Sequence, residues 1–86
     1  MKCKVVCILW LDHLHVNRSS LGGWKKAQTP TLSIGLIVDE TEKALVLASD
    51  IERYEERDDV TYTIIYKSAI QSIKEYGSIK IARLKG

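Results

Sequence analysis

Runs of apolar residues divide this chain into segments of strand length. Residues 3–11 are dense in Val, Ile, Leu and Trp, residues 32–38 and 44–49 are shorter apolar runs, and residues 60–66 are β-branched or aromatic throughout. Such residues fit a pleated, half-buried surface. The pattern therefore predicts four strands, of which the second and third form a hairpin through a polar loop at 39–43.

The stretch 60–76 leaves the next element open. The β-branched run stops at Tyr66, small and polar residues follow, and apolar residues return at Ile70 and Ile73. A strand, a tight turn and a second strand would give this pattern. A strand that runs into a short amphipathic helix would also give it, because Ile70 and Ile73 would share one helical face.

The end of the chain predicts one more strand. Gly77 and Ser78 indicate a turn, and residues 79–84 alternate between apolar and polar positions. Five or six short strands in a row imply an all-β (mainly) fold, a small antiparallel barrel or sandwich with at most a short helical turn. We expect a single domain over residues 1–86.

Two segments are irregular in pattern. Residues 12–31 predict a long loop, and residues 50–59 are almost wholly charged and predict an exposed loop or a short helical turn. Inside the second predicted strand, Gly35 indicates a bend or a close approach of another backbone.

Charge is unevenly distributed along the chain, although the net charge is only +2. Residues 1–38 and 60–86 each carry five basic and one acidic side chain, whereas residues 39–59 carry three basic and nine acidic ones. A basic face of this kind permits nucleic-acid binding, although dedicated nucleic-acid binders are usually more basic overall.

The two cysteines and the hydropathy pattern indicate a cytoplasmic protein. Cys3 and Cys7 lie four positions apart in one predicted strand, roughly 13 Å from each other, which is too far for a disulfide. Free cysteines suit a reducing compartment. No run of about 18 apolar residues is present that could span a bilayer, so no membrane partner is expected.

The sequence offers little catalytic chemistry. It contains no P-loop, dinucleotide fingerprint or nucleophile signature, so we expect neither an enzyme nor a cofactor. Asp12, His13 and His15 could gather a divalent metal and form the weakest alternative, a metal-dependent enzyme. Two solvated loop histidines are the simpler interpretation.

Residues 66–71, Tyr-Lys-Ser-Ala-Ile-Gln, resemble the second Sm motif of the Hfq family of bacterial RNA chaperones, Tyr-Lys-His-Ala-Ile-Ser. Residues 33–39 followed by 45–47 are similar to the first Sm motif, in which a glycine-containing strand, an aspartate turn and a second strand follow one another. The spacing from Gly35 to Asp39 is shorter than in that family.

The resemblance implies a strongly bent Sm-like or SH3-like barrel in which a single tight turn joins strands four and five. It further implies a homo-oligomeric ring, from pentamer to heptamer, made by edge pairing of those strands between neighbours. RNA would be the partner, with Lys67 at a phosphate or base edge, Ser68 as a hydrogen-bonding group and Tyr66 as structural support. Lys43 stands where the family often has an RNA-contacting Asn, and Ser68 replaces the family's His.

Two further features bear on function. The chain has aromatic residues that could stack on bases or else fill the barrel core. They are Trp10, Trp24, Tyr62, Tyr66 and Tyr76. The chain also resembles small hypothetical phage proteins through Trp10 with Asp12, Gly23-Trp24 and Ile34-Gly35. The alternative function is therefore a phage-derived protein-interaction or assembly module on an SH3-like barrel that binds no nucleic acid.

Overall fold

A computed structural model describes residues 1–12 and 29–85 and shows five antiparallel strands in one sheet. The strands are β1 (Lys2–Asp12), β2 (Thr29–Glu40), β3 (Ala44–Arg53), β4 (Asp58–Tyr66) and β5 (Ile70–Lys80). Within these described residues the helical structure is a single turn of 3-10 helix, Lys67–Ala69. The predicted small, mainly-β, barrel-like fold is confirmed. Of the two alternatives for residues 60–76, the structure has the strand, tight turn and second strand, and not the amphipathic helix.

The sheet must curl because its two edge strands are consecutive in the chain. The strand order is β4-β3-β2-β1-β5, so a flat sheet would separate β4 from β5 by four interstrand spacings, roughly 19 Å. The four residue steps from Tyr66 to Ile70 reach about 14 Å at most. The 3-10 turn can therefore join the edges only if the sheet bends into a barrel.

Register shifts accompany the bending. They occur in the pairing of β1 with β5, of β2 with β3 and of β3 with β4. An extra residue in one strand of a pair bends that strand and increases its twist. The extra residues are Val38, Ser49, Gln71 and Tyr76.

One hydrophobic cluster fills the barrel. It contains Val6, Ile8, Trp10, Leu45, Leu47, Ile65 and Ala69. The Trp10 indole Nε1 donates to Ser33 Oγ at 3.0 Å, which satisfies its polar atom. A methyl group at Gly35 would lie 2.3 Å from the Ala48 carbonyl oxygen, so the predicted close backbone approach is confirmed.

The C-terminal part differs from the sequence prediction. No turn occurs at Gly77-Ser78, because β5 continues through both residues to Lys80. Gly77 has φ +122° and lies beside the register shift against β1, so the glycine serves a bulge and not a turn. Residues 81–85 form no strand, which leaves five strands and removes the predicted strand 79–84.

Residues 81–85 instead contact the strand ends on the far side of the barrel. The Asp58 N–H donates to the Lys85 carbonyl at 2.9 Å, and Arg53 Nη2 donates to the Ala82 carbonyl at 2.8 Å. The segment that follows β5 thus reaches β3 and the start of β4. The 3-10 turn therefore connects β5 to one end of β4, and the segment 81–85 connects it to the other end.

The charged segment 50–59 is more ordered than predicted. β3 extends to Arg53 and β4 starts at Asp58, so only residues 54–57 form the connection. The link between β2 and β3 likewise shortens to residues 41–43. Most of the predicted 12–31 loop lies outside the described residues.

Candidate nucleic-acid interface

Two turns lie side by side at one end of the barrel. They are residues 41–43, between β2 and β3, and the 3-10 turn at 67–69. The Lys67 N–H donates to the Lys43 carbonyl at 2.8 Å. Tyr66 also pairs with Ala44 across β3 and β4. The backbone thus brings the turn after β2 and the turn after β4 into direct contact.

Thr41 holds the first turn in shape. Its Oγ1 accepts hydrogen bonds from the Lys43 N–H at 3.3 Å and the Ala44 N–H at 3.0 Å. Its own N–H donates to the Ala44 carbonyl at 2.8 Å. Such local side-chain bonds to the backbone are a common way to stabilise a turn. They fix the position of the Lys43 carbonyl, which accepts the hydrogen bond from the Lys67 N–H of the neighbouring turn.

The three residues expected from the resemblance meet at a surface cavity. A recess of about 340 Å³ is lined by Glu42, Lys43, Tyr66, Lys67 and Ser68. It offers two ammonium groups for phosphate, a phenol ring for a base and a hydroxyl for a hydrogen bond. These are the groups with which proteins hold single-stranded nucleic acids.

Glu40 forms an ion pair with Lys67 and offsets its positive charge. The Lys67 Nζ lies 2.7 Å from Glu40 Oε2, and both side chains are partly exposed to solvent. The hydrogen bond from Lys67 and the positive charge of that side chain hold the pKa of Glu40 below its ordinary value of 4.5, with a smaller contribution from Lys4. An incoming phosphate must therefore compete with a carboxylate for Lys67.

A second cavity, of about 500 Å³, adjoins the ion pair on the concave side of the sheet. Lys67 and Glu40 line it together with Lys4, Ile73 and Glu75. Lys4 Nζ lies 4.0 Å from Glu75 Oε2. Each of the two lysines at this cavity therefore has a carboxylate near it, and the cavity extends from the 3-10 turn to the N-terminal half of β1.

The aromatic residues separate into core and surface. Trp10 is 8% exposed and belongs to the core, whereas Tyr62, Tyr66 and Tyr76 are 57%, 59% and 60% exposed. Lys74 Nζ lies 5.2 Å from the centroid of the Tyr76 ring. Trp24 lies outside the described residues. Three tyrosines are thus available as stacking surfaces, and all lie on the edge strands.

The metal alternative finds no support in the described ranges, 1–12 and 29–85. No group of three or more His, Cys, Asp or Glu side chains there could hold an ion. His13 and His15, on which this hypothesis depends, lie outside those ranges. In the same part of the chain, no helix is long and apolar enough to cross a membrane.

Sequence reasoning missed Glu40 as the partner of Lys67. The two residues are 27 positions apart, and a turn carboxylate is ordinarily a solvated one. Only the pairing of the two turns brings Glu40 and Lys67 together. A register shift at Val38 places Asp39 opposite Val46 and Glu40 opposite Leu45. The sequence pattern does not indicate this shift.

Comparison with protein-family models, curated proteins and solved structures finds no match for this chain. The resemblance to the Sm motifs therefore stays a prediction, based on residues 33–47 and 66–71. The class that the fold defines is a small, mainly-β, barrel-like protein in which, among residues 1–12 and 29–85, β4 and β5 each have a strand on one side alone.

Proposed function

We propose that this protein is a non-catalytic, Sm-like RNA-binding protein that assembles into a homo-oligomeric ring. The observation that carries the proposal is the cavity shared by Tyr66, Lys67 and Ser68 with Lys43. Two segments more than 20 residues apart in sequence converge there, and both are segments in which the Sm-like resemblance expects RNA contacts.

Tyr66 was expected to give structural support, but its exposed ring is better suited to binding a ligand. A side chain that is 59% exposed contributes little to the core. It lies beside Lys67, and a base stacked on it would place its phosphate near the ammonium group. We therefore assign Tyr66 to stacking, Lys67 to phosphate binding and Ser68 to hydrogen bonding.

The strand order supports the ring. β4 and β5 are the two edges of the sheet and are joined by one 3-10 turn. Exposed edges are templates for pairing with another chain, and a closed ring removes them. Five to seven copies would satisfy both edges of every protomer. Free Cys3 and Cys7 agree with a cytoplasmic location.

Salt-dependent binding tests the RNA proposal. We expect wild-type protein to shift a fluorescent single-stranded RNA, with an affinity that falls as salt rises because counterions compete with phosphate contacts. Lys67→Ala is expected to weaken binding and to lower the salt slope by about 0.7, the contribution of one contact to a single strand.

The companion variant is Lys43→Ala, which removes the second ammonium group of the cavity while its backbone carbonyl remains. A similar loss would place both lysines at the phosphate. No RNA binding at low salt by a well-folded wild-type protein would refute the proposal, and unchanged binding by Lys67→Ala would remove that residue from the site.

A protein-interaction or assembly module remains the second candidate, and one surface favours it. Leu32 and Ile34 on β2 are both 64% exposed, and their cross-strand partners are Leu9 and Cys7 on β1. Residues directly opposite in a sheet share a face, so these four side chains form an apolar outer surface. Exposed apolar patches often mark protein contacts.

A further inference from the structure

Two lysines lie directly opposite each other at one corner of the sheet. The register of β1 and β5 pairs Lys2 with Lys80 and Lys4 with Ser78. Side chains that are directly opposite lie about 5 Å apart at Cβ, and like charges in that position destabilise a sheet. Both Lys2 and Lys80 are exposed.

The positive charge of this pair is not compensated within the described residues. The carboxylate closest along this face, Glu75, lies near Lys4 at 4.0 Å. In residues 1–12 and 29–85, neither Lys2 nor Lys80 forms an ion pair with a carboxylate. The corner therefore holds two lysines on adjacent strands, and neither has a carboxylate partner among the described residues.

The backbone of the corner is well fixed. The Ile81 N–H donates to the Met1 carbonyl at 2.8 Å, so a backbone hydrogen bond flanks the Lys2–Lys80 pair just beyond the last pair of the ladder. A fixed backbone cannot relieve the repulsion by separating the strands. An anion between the two side chains would relieve it.

Strand alternation places the pair on the concave side. Lys2 and Lys4 alternate along β1 with the core residues Val6 and Ile8 and so continue the same face. Lys4 and Val6 line the 500 Å³ cavity that also contains Lys67. Because Lys67 also lines the proposed RNA cavity, the 500 Å³ cavity lies between that cavity and the face of β1 that carries Lys2 and Lys4.

Edge protection alone does not account for the arrangement. Lysines on an edge strand discourage unwanted pairing, and Lys74 and Lys80 on β5 could both act in this way. Protection of β5 does not require a second lysine on β1, which is an interior strand. A ligand shared by Lys2 and Lys80 would account for the second lysine.

We propose that Lys2 and Lys80 form a second phosphate-binding site, which contacts the backbone of a single-stranded RNA that also occupies the Lys67 cavity. The inference rests on the proposed function for the identity of the anion. It adds a site at the opposite end of the concave face, where the resemblance to the Sm motifs assigns none.

The test compares salt slopes of RNA binding for wild type and for Lys2→Ala/Lys80→Ala. Loss of two contacts is expected to lower the slope by about 1.4, so that a fourfold rise in salt weakens the variant about sevenfold less than wild type. The control, Lys74→Ala/Arg83→Ala, removes two positive charges from β5 and the segment that follows it and is expected to keep the wild-type slope.

Thermal melting with sodium tripolyphosphate separates the site from the RNA proposal. We expect this anion to raise the melting temperature of wild type more than that of Lys2→Ala/Lys80→Ala, which retains the cavity with Lys43 and Lys67. Without ligand, the double variant should melt no lower than wild type, because it loses a like-charge pair. Reduced RNA binding therefore could not be attributed to unfolding.

The outcomes are distinguishable. If wild type binds RNA and the double variant keeps its slope and its response to tripolyphosphate, the second site is refuted while the proposed function survives. If wild type binds no RNA but tripolyphosphate still distinguishes the two proteins, the RNA assignment and the proposed function are both refuted, and an anion from another source occupies the corner.

Discussion

Glu40 determines how much of the charge of Lys67 is available to a ligand. The two side chains form an ion pair at 2.7 Å beside the proposed RNA cavity. We expect Glu40→Gln to increase RNA affinity, because phosphate would no longer compete with a carboxylate. The measurement is RNA binding at low salt. Glu42→Gln, which removes the same charge from the adjacent turn, should have a smaller effect.

The pH dependence of the ion pair provides a control for this prediction. Lys67 lowers the pKa of Glu40 below 4.5, so the ion pair stabilises the fold fully above that pH and is lost as pH falls through the lowered pKa. The difference in unfolding free energy between wild type and Glu40→Gln should shrink as pH falls below 4.5. A constant difference would contradict the ion pair.

Residue positions within turns were predictable where a motif marked them. The change in residue type after Tyr66 left a tight turn and a short helix open, and the resemblance to the second Sm motif favoured the turn; the structure has Lys67 and Ser68 in a 3-10 turn. Gly35 was predicted to allow a close approach, because an interior strand glycine has few other uses. The ion pair of Lys67 was not predictable, since it depends on a pairing between distant turns.

At the scale of elements, residues 81–85 act as a closing segment for the barrel. Asp58 anchors it: Oδ2 accepts from Lys85 N–H at 2.6 Å and from Arg53 Nη1 at 3.0 Å. The Asp58 side chain is fully buried, and its Oδ1 has no hydrogen-bond partner within the described residues. A buried carboxylate held by two donors is costly to remove.

We expect Asp58→Ala to lower the unfolding free energy by about 2 kcal/mol, because Arg53 and the Lys85 N–H each lose a charged acceptor. Urea denaturation measures the change, and hydrogen exchange of residues 81–85 should accelerate. Asp59→Ala is the control: its pair with Arg57 is exposed, so the loss should stay below about 1 kcal/mol. Equal effects for the two variants would contradict the anchor.

The same segment shows why element boundaries were harder to predict than elements. Alternation over residues 79–84 is a valid strand pattern, but a strand also needs a partner. β5 pairs with β1 only as far as Lys80, where β1 begins. At Gly77, a bulge and a turn use the same residue type, so sequence pattern alone favoured the wrong one.

At the scale of the whole molecule, β4 and β5 are the edge strands of the described sheet, and both carry exposed apolar side chains. β4 presents Tyr62, Ile64 and Tyr66, which are 57%, 50% and 59% exposed. β5 presents Ile73 and Tyr76, at 47% and 60%. Long apolar edges of this kind aggregate unless another strand covers them. Pairing of β4 with the β5 of a neighbouring copy would cover both at once.

Light scattering after gel filtration measures whether the edges are used in this way. We expect wild type to form five to seven copies and Ile64→Lys to form monomers, because a charge on an edge strand opposes pairing. Leu32→Lys makes the same change on β2, an interior strand, at a position that is 64% exposed. It should leave the ring intact, since only β4 and β5 pair between copies. A monomeric wild type would contradict pairing of the sheet edges. A ring that survives Ile64→Lys and is lost in Leu32→Lys would place the interface on the apolar outer surface. Either result would favour the protein-interaction function.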